Sequence, residues 1–172
     1  FRLGPYHHAR LRTASLRADL VGIELFGNDS FYEWSKPQAA GGYNCFTLFP
    51  DDSAQSRAKT GMRRRVFQCL DEQRPDVVAI AGWGEHGMLC ALSWCLERKI
   101  PAIVMSDSHA LFERRPVWRE WGKRQVVGCF SSALCAGRPQ ADYLGSLGIP
   151  AAAIFPGFDV VDSGHFRAGS EA

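Results

Sequence analysis

Short apolar runs alternate with amphipathic segments along most of the chain. The apolar runs have the length and composition of buried strands, and they cover residues 19–26, 43–49, 76–82, 101–108, 129–137 and 151–157. Between them, apolar side chains recur every three or four positions, as in helices that bury one face. These segments are 7–16, 53–74, a stretch containing 88–96, 116–127 and 139–148. Because such alternation requires crossover connections, the pattern predicts an α/β, Rossmann-like open parallel sheet flanked by helices.

Two of these elements lead to specific burial predictions. The run 76–82 is continuously apolar, which is typical of a strand covered by helices on both faces. The helix after it is expected to bury the stripe Met88, Leu89, Leu92, Cys95 and Leu96. In an open parallel sheet the ligand lies beyond the carboxyl ends of the strands. The candidate loops there read GPYHHAR, GNDSFYEW, FPDD, GWGEHG, SDSH, AGRP and PGFDVVD.

Composition places the chain among ordinary globular proteins and indicates no partner. Its 172 residues are 46% hydrophobic and 22% charged, which suffices for one core. A formal net charge of +2 is too small for the concentrated basic face of a nucleic-acid binder. No apolar run approaches the roughly 20 residues of a membrane-spanning helix, and no signal-peptide pattern opens the sequence. We expect a soluble protein.

The six cysteines favour a reducing compartment and argue against a metal site. None of them forms a C-x-x-C pair or has a Cys/His partner at zinc-finger spacing. Most lie in apolar runs such as VVGCF and MLCALSWC, where a free thiol behaves as a small buried hydrophobe. We therefore expect a cytoplasmic protein without bound metal.

One loop fits the class of NAD(P)-binding Rossmann domains. Gly82, Gly84 and Gly87 spell G-x-G-x-x-G between a predicted strand and a predicted helix. Asp107 follows the next strand, where a carboxylate would hold ribose hydroxyls. However, Glu85 would place a negative charge at the helix N-terminus that should meet pyrophosphate. A dinucleotide-binding domain is therefore the second interpretation.

Several stretches taken together resemble the family 4 retaining glycosyltransferases, which have the two-domain GT-B fold. GPYHHARL is similar to the glycine-containing turn and arginine-bearing helix after their first strand. DVVAIAGW, PAIVMSDS and RRPVWREWGKR resemble their central strands and the E-x-x-K helix that follows, and ALCAGRPQADYLGSLGIP resembles the next strand, turn and helix. The most specific match is IFPGFDVVDSGHF, which is similar to the Gly-aromatic-Asp-Val-Val-Asp segment that closes the N-terminal domain in the family.

The resemblance implies that residues 1–166 form the N-terminal, acceptor-side domain of such an enzyme, with its first strand largely missing, and that 167–172 begin a linker or tail. The donor domain would be absent, so the chain alone would be inactive. The complete enzyme would move a sugar from a nucleotide diphosphate sugar to an acceptor hydroxyl with retention. Cationic side chains and helix ends would neutralise the leaving diphosphate, with no metal and no cofactor. A third interpretation is a non-catalytic α/β binding module.

The resemblance also points to individual side chains. His109, just after the SDS turn, is the candidate catalytic residue, although the family position could instead fall on Ser108. Glu120 and Lys123 would border the acceptor pocket, although two such residues three apart on a helix also form a simple ion pair. The candidate substrate-binding residues are Gly4, Tyr6, His7, Arg10, Trp83, Gly84, Glu85, Ser108, Glu120, Lys123, Gly157 and Asp159.

The N-terminal candidates also have structural interpretations. Gly4 and the start of the following helix could offer N–H groups to a sugar or phosphate oxygen, with Arg10 adding charge. Equally, Gly4 could be only a turn and Arg10 a solvated residue. His7 and His8 are adjacent and point about 100° apart on a helix, so at most one of them faces a ligand.

Cations alternate with aromatic residues in FERRPVWREWGKR, which contains Trp118 and Trp121, and a second basic run spans 63–65. This composition suits an anionic membrane surface or a lipid-linked acceptor, although solvated helix faces share it. The expected partners are a nucleotide diphosphate sugar and an acceptor sugar, either lipid-linked or small. Peripheral contact with the inner face of a membrane remains open, and nucleic acid is not expected.

Overall fold

The computed structural model describes residues 2–28, 42–53, 61–110, 116–161, 163 and 167. The described helices are α1 (Pro5–Ser15), α2 (Met62–Gln73), α3 (His86–Arg98), α4 (Val117–Val127) and α5 (Arg138–Ser146). The described strands are β1 (Val21–Asn28), β2 (Asn44–Ser53), β3 (Val78–Ala81), β4 (Ala102–Ser106), β5 (Ser132–Cys135) and β6 (Ile154–Pro156), and a 3-10 turn at Ala151–Ala153 precedes β6. Most of the predicted GNDSFYEW loop lies outside the described residues.

Strands and helices alternate as predicted, and every described strand pair is parallel. This confirms the α/β class with parallel strands flanked by helices. The described strands form two sheets, β1-β2 and β3-β4-β5-β6. They belong to two compact units, one of Phe1–Thr60 with Val160–Ala172 and the other of Gly61–Asp159.

The first unit is built on the parallel pair β1-β2. The register holds as far as Phe26, opposite Phe49, and shifts immediately afterwards. The two backbones approach closely at the shift, because a Cβ added to Gly27 would lie 2.0 Å from the carbonyl oxygen of Pro50. Any residue other than glycine would force the strands apart there.

A buried carboxylate ties the N-terminal segment to this strand pair. Glu24 accepts a hydrogen bond of 2.8 Å from the backbone N–H of Leu3 and one of 2.9 Å from Oγ1 of Thr47. Since a buried charge is tolerated only when hydrogen-bonded, both donors help to keep Glu24 in place.

The second unit is a four-stranded sheet with helices packed against it. Its strands follow one another in sequence order, and the pairing runs from Val78 opposite Ala102 to Cys135 opposite Pro156. Side chains alternate between buried and partly exposed along β4 and β5, as the two-residue period of a strand requires. The most deeply buried side chains of this core are those of Cys95, Val104, Val127, Ala133, Cys135 and Leu144.

Two helices of this unit, α2 and α3, each end at a residue in the left-handed conformation. Arg74 adopts the left-handed conformation at the end of α2, with a φ of +48°, and its N–H bonds to the carbonyl of Leu70 at 3.0 Å. Pro75 follows and lacks the N–H that another helical turn requires. Lys99, with a φ of +58°, ends α3 in the same way.

Two burial predictions need correction. On α3, Met88, Leu92 and Cys95 are buried as expected, but Leu89 and Leu96 are exposed. Cys90 and Trp94 take the places predicted for those leucines, because α3 also packs against α2. There the indole Nε1 of Trp94 donates to Oδ1 of Asp71 at 2.9 Å.

The second correction concerns the run 76–82, which the sequence predicts to be covered on both faces. In β3 only Ile80 is buried and Ala79 is exposed, and Val77, just before the strand, is exposed as well. The reason is that β3 lies at the edge of the described four-stranded sheet, where it pairs with β4 alone.

Candidate functional site

Four parallel strands of the second unit bring their carboxyl-terminal turns to one edge of the sheet. Parallel strands point the same way, so the residues after β3, β4, β5 and β6 share that edge. Seven of the predicted site residues lie in these turns: Trp83, Gly84, Glu85, Ser108, His109, Gly157 and Asp159. These seven residues therefore lie along one edge of the sheet, which is where a parallel sheet binds its ligands.

The turn after β6 is fastened to the end of β5. The N–H groups of Gly157 and Phe158 donate to the carbonyl of Cys135 at 2.8 and 3.3 Å. Gly157 has a φ of +98°, a conformation that side chains with a Cβ rarely adopt. Asp159 follows this turn and is exposed.

The turn after β4 is organised by a buried hydroxyl. Oγ of Ser106 accepts a hydrogen bond of 3.2 Å from the backbone N–H of Ser108. Ser106 is buried, whereas Ser108 and His109 are only partly covered and Asp107 is exposed. The hydroxyl thus starts a turn that places Ser108 and His109 at the sheet edge.

The turn after β3 bears on the dinucleotide interpretation. Gly82 has a φ of +78°, and its N–H bonds to the carbonyl of Ile80 at 2.9 Å. Glu85 is the N-cap residue of α3, as the sequence indicated. A carboxylate at this position would repel a pyrophosphate bound at the helix N-terminus.

Strand order further weakens the dinucleotide interpretation. Dinucleotide folds bind at a switch point, where the order of the strands reverses on either side of the glycine-rich turn. In the described sheet the strands run β3-β4-β5-β6, and no reversal occurs among them. The G-x-G-x-x-G turn follows β3, which has a neighbour on one side only within this sheet.

A hydrogen-bonded cluster joins α4 to α5. Nζ of Lys123 lies 2.8 Å from Oε1 of Glu120 and 3.1 Å from the hydroxyl of Tyr143, which in turn donates to Oε2 of Glu120 at 2.9 Å. Both charged side chains are mostly covered, and Tyr143 is buried. Glu120 and Lys123 therefore form the expected ion pair, and a third member fixes it in place.

Tyr143 is the residue that sequence reasoning missed. It is 23 positions from Glu120, so no local spacing links the two. The only signal in the sequence was a tyrosine next to Leu144 in α5. A tyrosine buried beside such a residue usually has a hydrogen-bond partner.

The N-terminal candidates lie in the first unit and are held by contacts of their own. The N–H of Gly4, the N-cap residue of α1, donates to Nδ1 of His7 at 3.1 Å. His8 bonds instead to the hydroxyl of Tyr43, so the two histidines diverge as predicted. Nε of Arg10 donates to the carbonyl of Val160 at 3.2 Å. Tyr6, in the first turn of α1, is exposed.

The cysteines match the expectation of buried free thiols except at Cys45, which is partly exposed, and at Cys129. All six are free, and Cys69, Cys90, Cys95 and Cys135 are buried. Cys129 is exposed, because it lies just beyond the C-terminal end of α4. The apolar run VVGCF is therefore not buried throughout, because its fourth residue is exposed.

Two kinds of feature are absent from the described ranges. No helix there is long and apolar enough to cross a membrane. Nor do the described side chains bring three or more His, Cys, Asp or Glu residues close enough to hold a metal ion.

Comparison with known proteins gives only weak structural likenesses. No protein-family model and no curated protein matches the chain. Among solved structures, it is similar to UDP-N-acetylglucosamine 2-epimerase from Rickettsia bellii, with 22% identity over 67% of this chain and 31% of that one and a TM-score of 0.48. It is also similar to UDP-GlcNAc 2-epimerase from Neisseria meningitidis bound to UDP-GlcNAc, with 11% identity over 80% of this chain and 45% of that one and a TM-score of 0.48.

The chain thus spans less than half the length of either epimerase. At these TM-scores and identities, neither likeness supports an argument about activity.

Proposed function

We propose that this chain is the acceptor-side half of a retaining glycosyltransferase that uses a nucleotide diphosphate sugar without a metal. The observation that supports this most is the Glu120–Lys123–Tyr143 cluster. Two of its members, Glu120 and Lys123, lie on the E-x-x-K segment whose sequence resembles the family, and both were predicted as acceptor contacts.

The cluster has the chemistry that a sugar hydroxyl needs. The Glu120 carboxylate accepts hydrogen bonds and the Lys123 ammonium donates them, so together they can bind a hydroxyl that does both. Because Tyr143 already holds both groups, little side-chain freedom would be lost on binding. We assign Glu120 and Lys123 to acceptor binding and Tyr143 to positioning them.

The strand-end turns would supply the rest of this half-site. His109 and Ser108 follow β4, and Asp159 follows the fixed turn at Gly157. In the proposal these groups face the reacting sugar, and a second domain supplies the cationic groups that neutralise the diphosphate. Closure of the two domains would exclude water from the reacting centre.

Titration calorimetry with UDP-, GDP- and ADP-sugars tests the proposal on the 172-residue chain and on the protein in its full natural length. We expect binding and turnover by the full-length protein, and little or none by the chain alone. Turnover by the 172-residue chain would contradict the division of the site between two domains.

Matched variants of the full-length protein test the assigned residues. Glu120→Gln and Lys123→Met should lower kcat/KM for the acceptor on the order of tenfold to a hundredfold, mainly through KM. Glu97→Gln and Lys99→Met make the same chemical changes at exposed positions, in the last turn of α3 and at its C-cap, and should leave kcat/KM unchanged. Equal effects of both pairs would show that the cluster is only structural.

A further inference from the structure

Helix α4 differs from an ordinary surface helix, because three of its large apolar side chains are exposed. Val117, Trp118 and Trp121 are 85%, 69% and 66% exposed, and Gln125 is exposed as well. Spacings of three and four residues put these four side chains on one side of the helix. We call this side the tryptophan face.

The opposite side of α4 fixes the helix in this orientation. Glu120 and Lys123 turn inward and bond to the buried Tyr143, and Val127 is fully buried. A rotation that buried the tryptophans would break this cluster and expose Val127. The tryptophan face is therefore held outward by the fold.

The exposed charges that α4 itself places beside the tryptophan face are positive. Arg119, Lys123 and Arg124 are the cations of α4, and its single acid, Glu120, is paired on the inner side. Arg119 and Arg124 are exposed on the two flanks of the face. The guanidinium of Arg119 lies 5.2 Å from the ring centroid of Trp118, so cation and ring present one combined surface.

We propose that the tryptophan face binds an anionic lipid surface. Tryptophan is the side chain that prefers the boundary between headgroups and acyl chains. The flanking arginines match the charge of acidic headgroups, and their long side chains can keep that charge in the headgroup layer. With 11 residues, α4 would lie along the surface, because a spanning helix needs about 20. The proposal does not depend on the transferase assignment.

Vesicle sedimentation tests the proposal directly on the 172-residue chain. Two vesicle preparations serve as probes, one of phosphatidylcholine alone and one of three parts phosphatidylcholine to one part phosphatidylglycerol. We expect binding to the second preparation, weakened when salt rises from about 0.1 M to about 0.5 M because exposed charges are then screened. Tryptophan fluorescence should shift to the blue on binding, since the indoles leave water.

Variants distinguish binding by the tryptophan face from nonspecific binding elsewhere on the chain. Trp118→Ser with Trp121→Ser should weaken vesicle binding at least about tenfold and remove the blue shift. Arg119→Gln with Arg124→Gln should remove most of the salt dependence. Leu96→Ser and Arg64→Gln, at exposed positions of α3 and α2, are the controls and should bind like the parent. Circular dichroism verifies that each variant is folded.

Two results would overturn the proposal. One is equal binding by the parent and the double tryptophan variant, which would place any lipid contact elsewhere. The other is absence of vesicle binding together with a concentration-dependent dimer that the same double variant dissolves in sedimentation experiments. That result would assign the face to a second copy of this chain.

Discussion

The hydroxyl of Tyr143 donates a hydrogen bond of 2.9 Å to Oε2 of Glu120, across 23 positions of sequence. It joins the middle of α5 to the first turns of α4, and Lys123 lies within hydrogen-bond distance of both groups. This small cluster links the stability of the second unit to the residues assigned to acceptor binding.

The first prediction concerns this hydrogen bond. Tyr143→Phe should lower the free energy of unfolding by about 1–2 kcal/mol, because it removes the hydroxyl from a mostly covered carboxylate. Urea denaturation of Tyr143→Phe, Glu120→Gln and the double variant forms a mutant cycle. The coupling energy should be about 1 kcal/mol. Additive effects would mean that Tyr143 contributes only through packing.

Much of the fold followed from the hydrophobic pattern, because a strand or helix is specified by neighbouring residues. The predicted strand 101–108 and helix 116–127 correspond closely to β4 and α4. What the pattern could not give is contact between distant residues. The buried positions of α3 depend on Asp71 of α2 meeting Trp94, and the Glu120 cluster depends on Tyr143. In neither pair does the spacing along the sequence indicate that the two residues are in contact.

The second prediction concerns the buried carboxylate of the first unit. Glu24→Gln should lower the free energy of unfolding by about 1–3 kcal/mol, because an amide offers one accepting oxygen where the carboxylate offers two. Both Leu3 N–H and Thr47 Oγ1 currently donate to it. Thr47→Val in the Gln variant should then cost less than in the parent. Urea denaturation measures all three variants, and an unchanged midpoint for Glu24→Gln would contradict the contact.

The third prediction concerns stability at high pH. Burial raises the pKa of the Cys95 thiol from 9.0 to about 11. Between those values the unfolded chain releases a proton that the folded chain keeps. Unfolding therefore releases protons, and the free energy of unfolding falls as pH rises through this window.

Cys95→Ala should make the free energy of unfolding fall less steeply with pH. The slope should change by the equivalent of up to about one proton released on unfolding. Burial raises the pKa of Cys45 to about 11 as well, so Cys45→Ala should act similarly in the first unit. Cys129→Ala alters an exposed thiol and is the matched control. Urea denaturation at several pH values from 8 to 11 gives the slopes. Identical slopes for Cys95→Ala and Cys129→Ala would rule out the burial effect.

The fourth prediction separates the two interpretations of GWGEHG. A Cβ added at Gly84 meets no atom within 4 Å, so Gly84→Val should change the free energy of unfolding by no more than about 0.5 kcal/mol. Gly82 also has open space around it but holds a φ of +78°. Gly82→Val should therefore cost about 1–3 kcal/mol through backbone strain.

Calorimetry with NAD(H) completes the test, because valine at position 84 would block the close approach of backbone to pyrophosphate. With Glu85 at the N-cap and no strand reversal in the described sheet, we expect no NAD(H) binding by the parent chain. Micromolar binding by the parent, lost in a folded Gly84→Val variant, would instead establish a dinucleotide site and displace the transferase proposal.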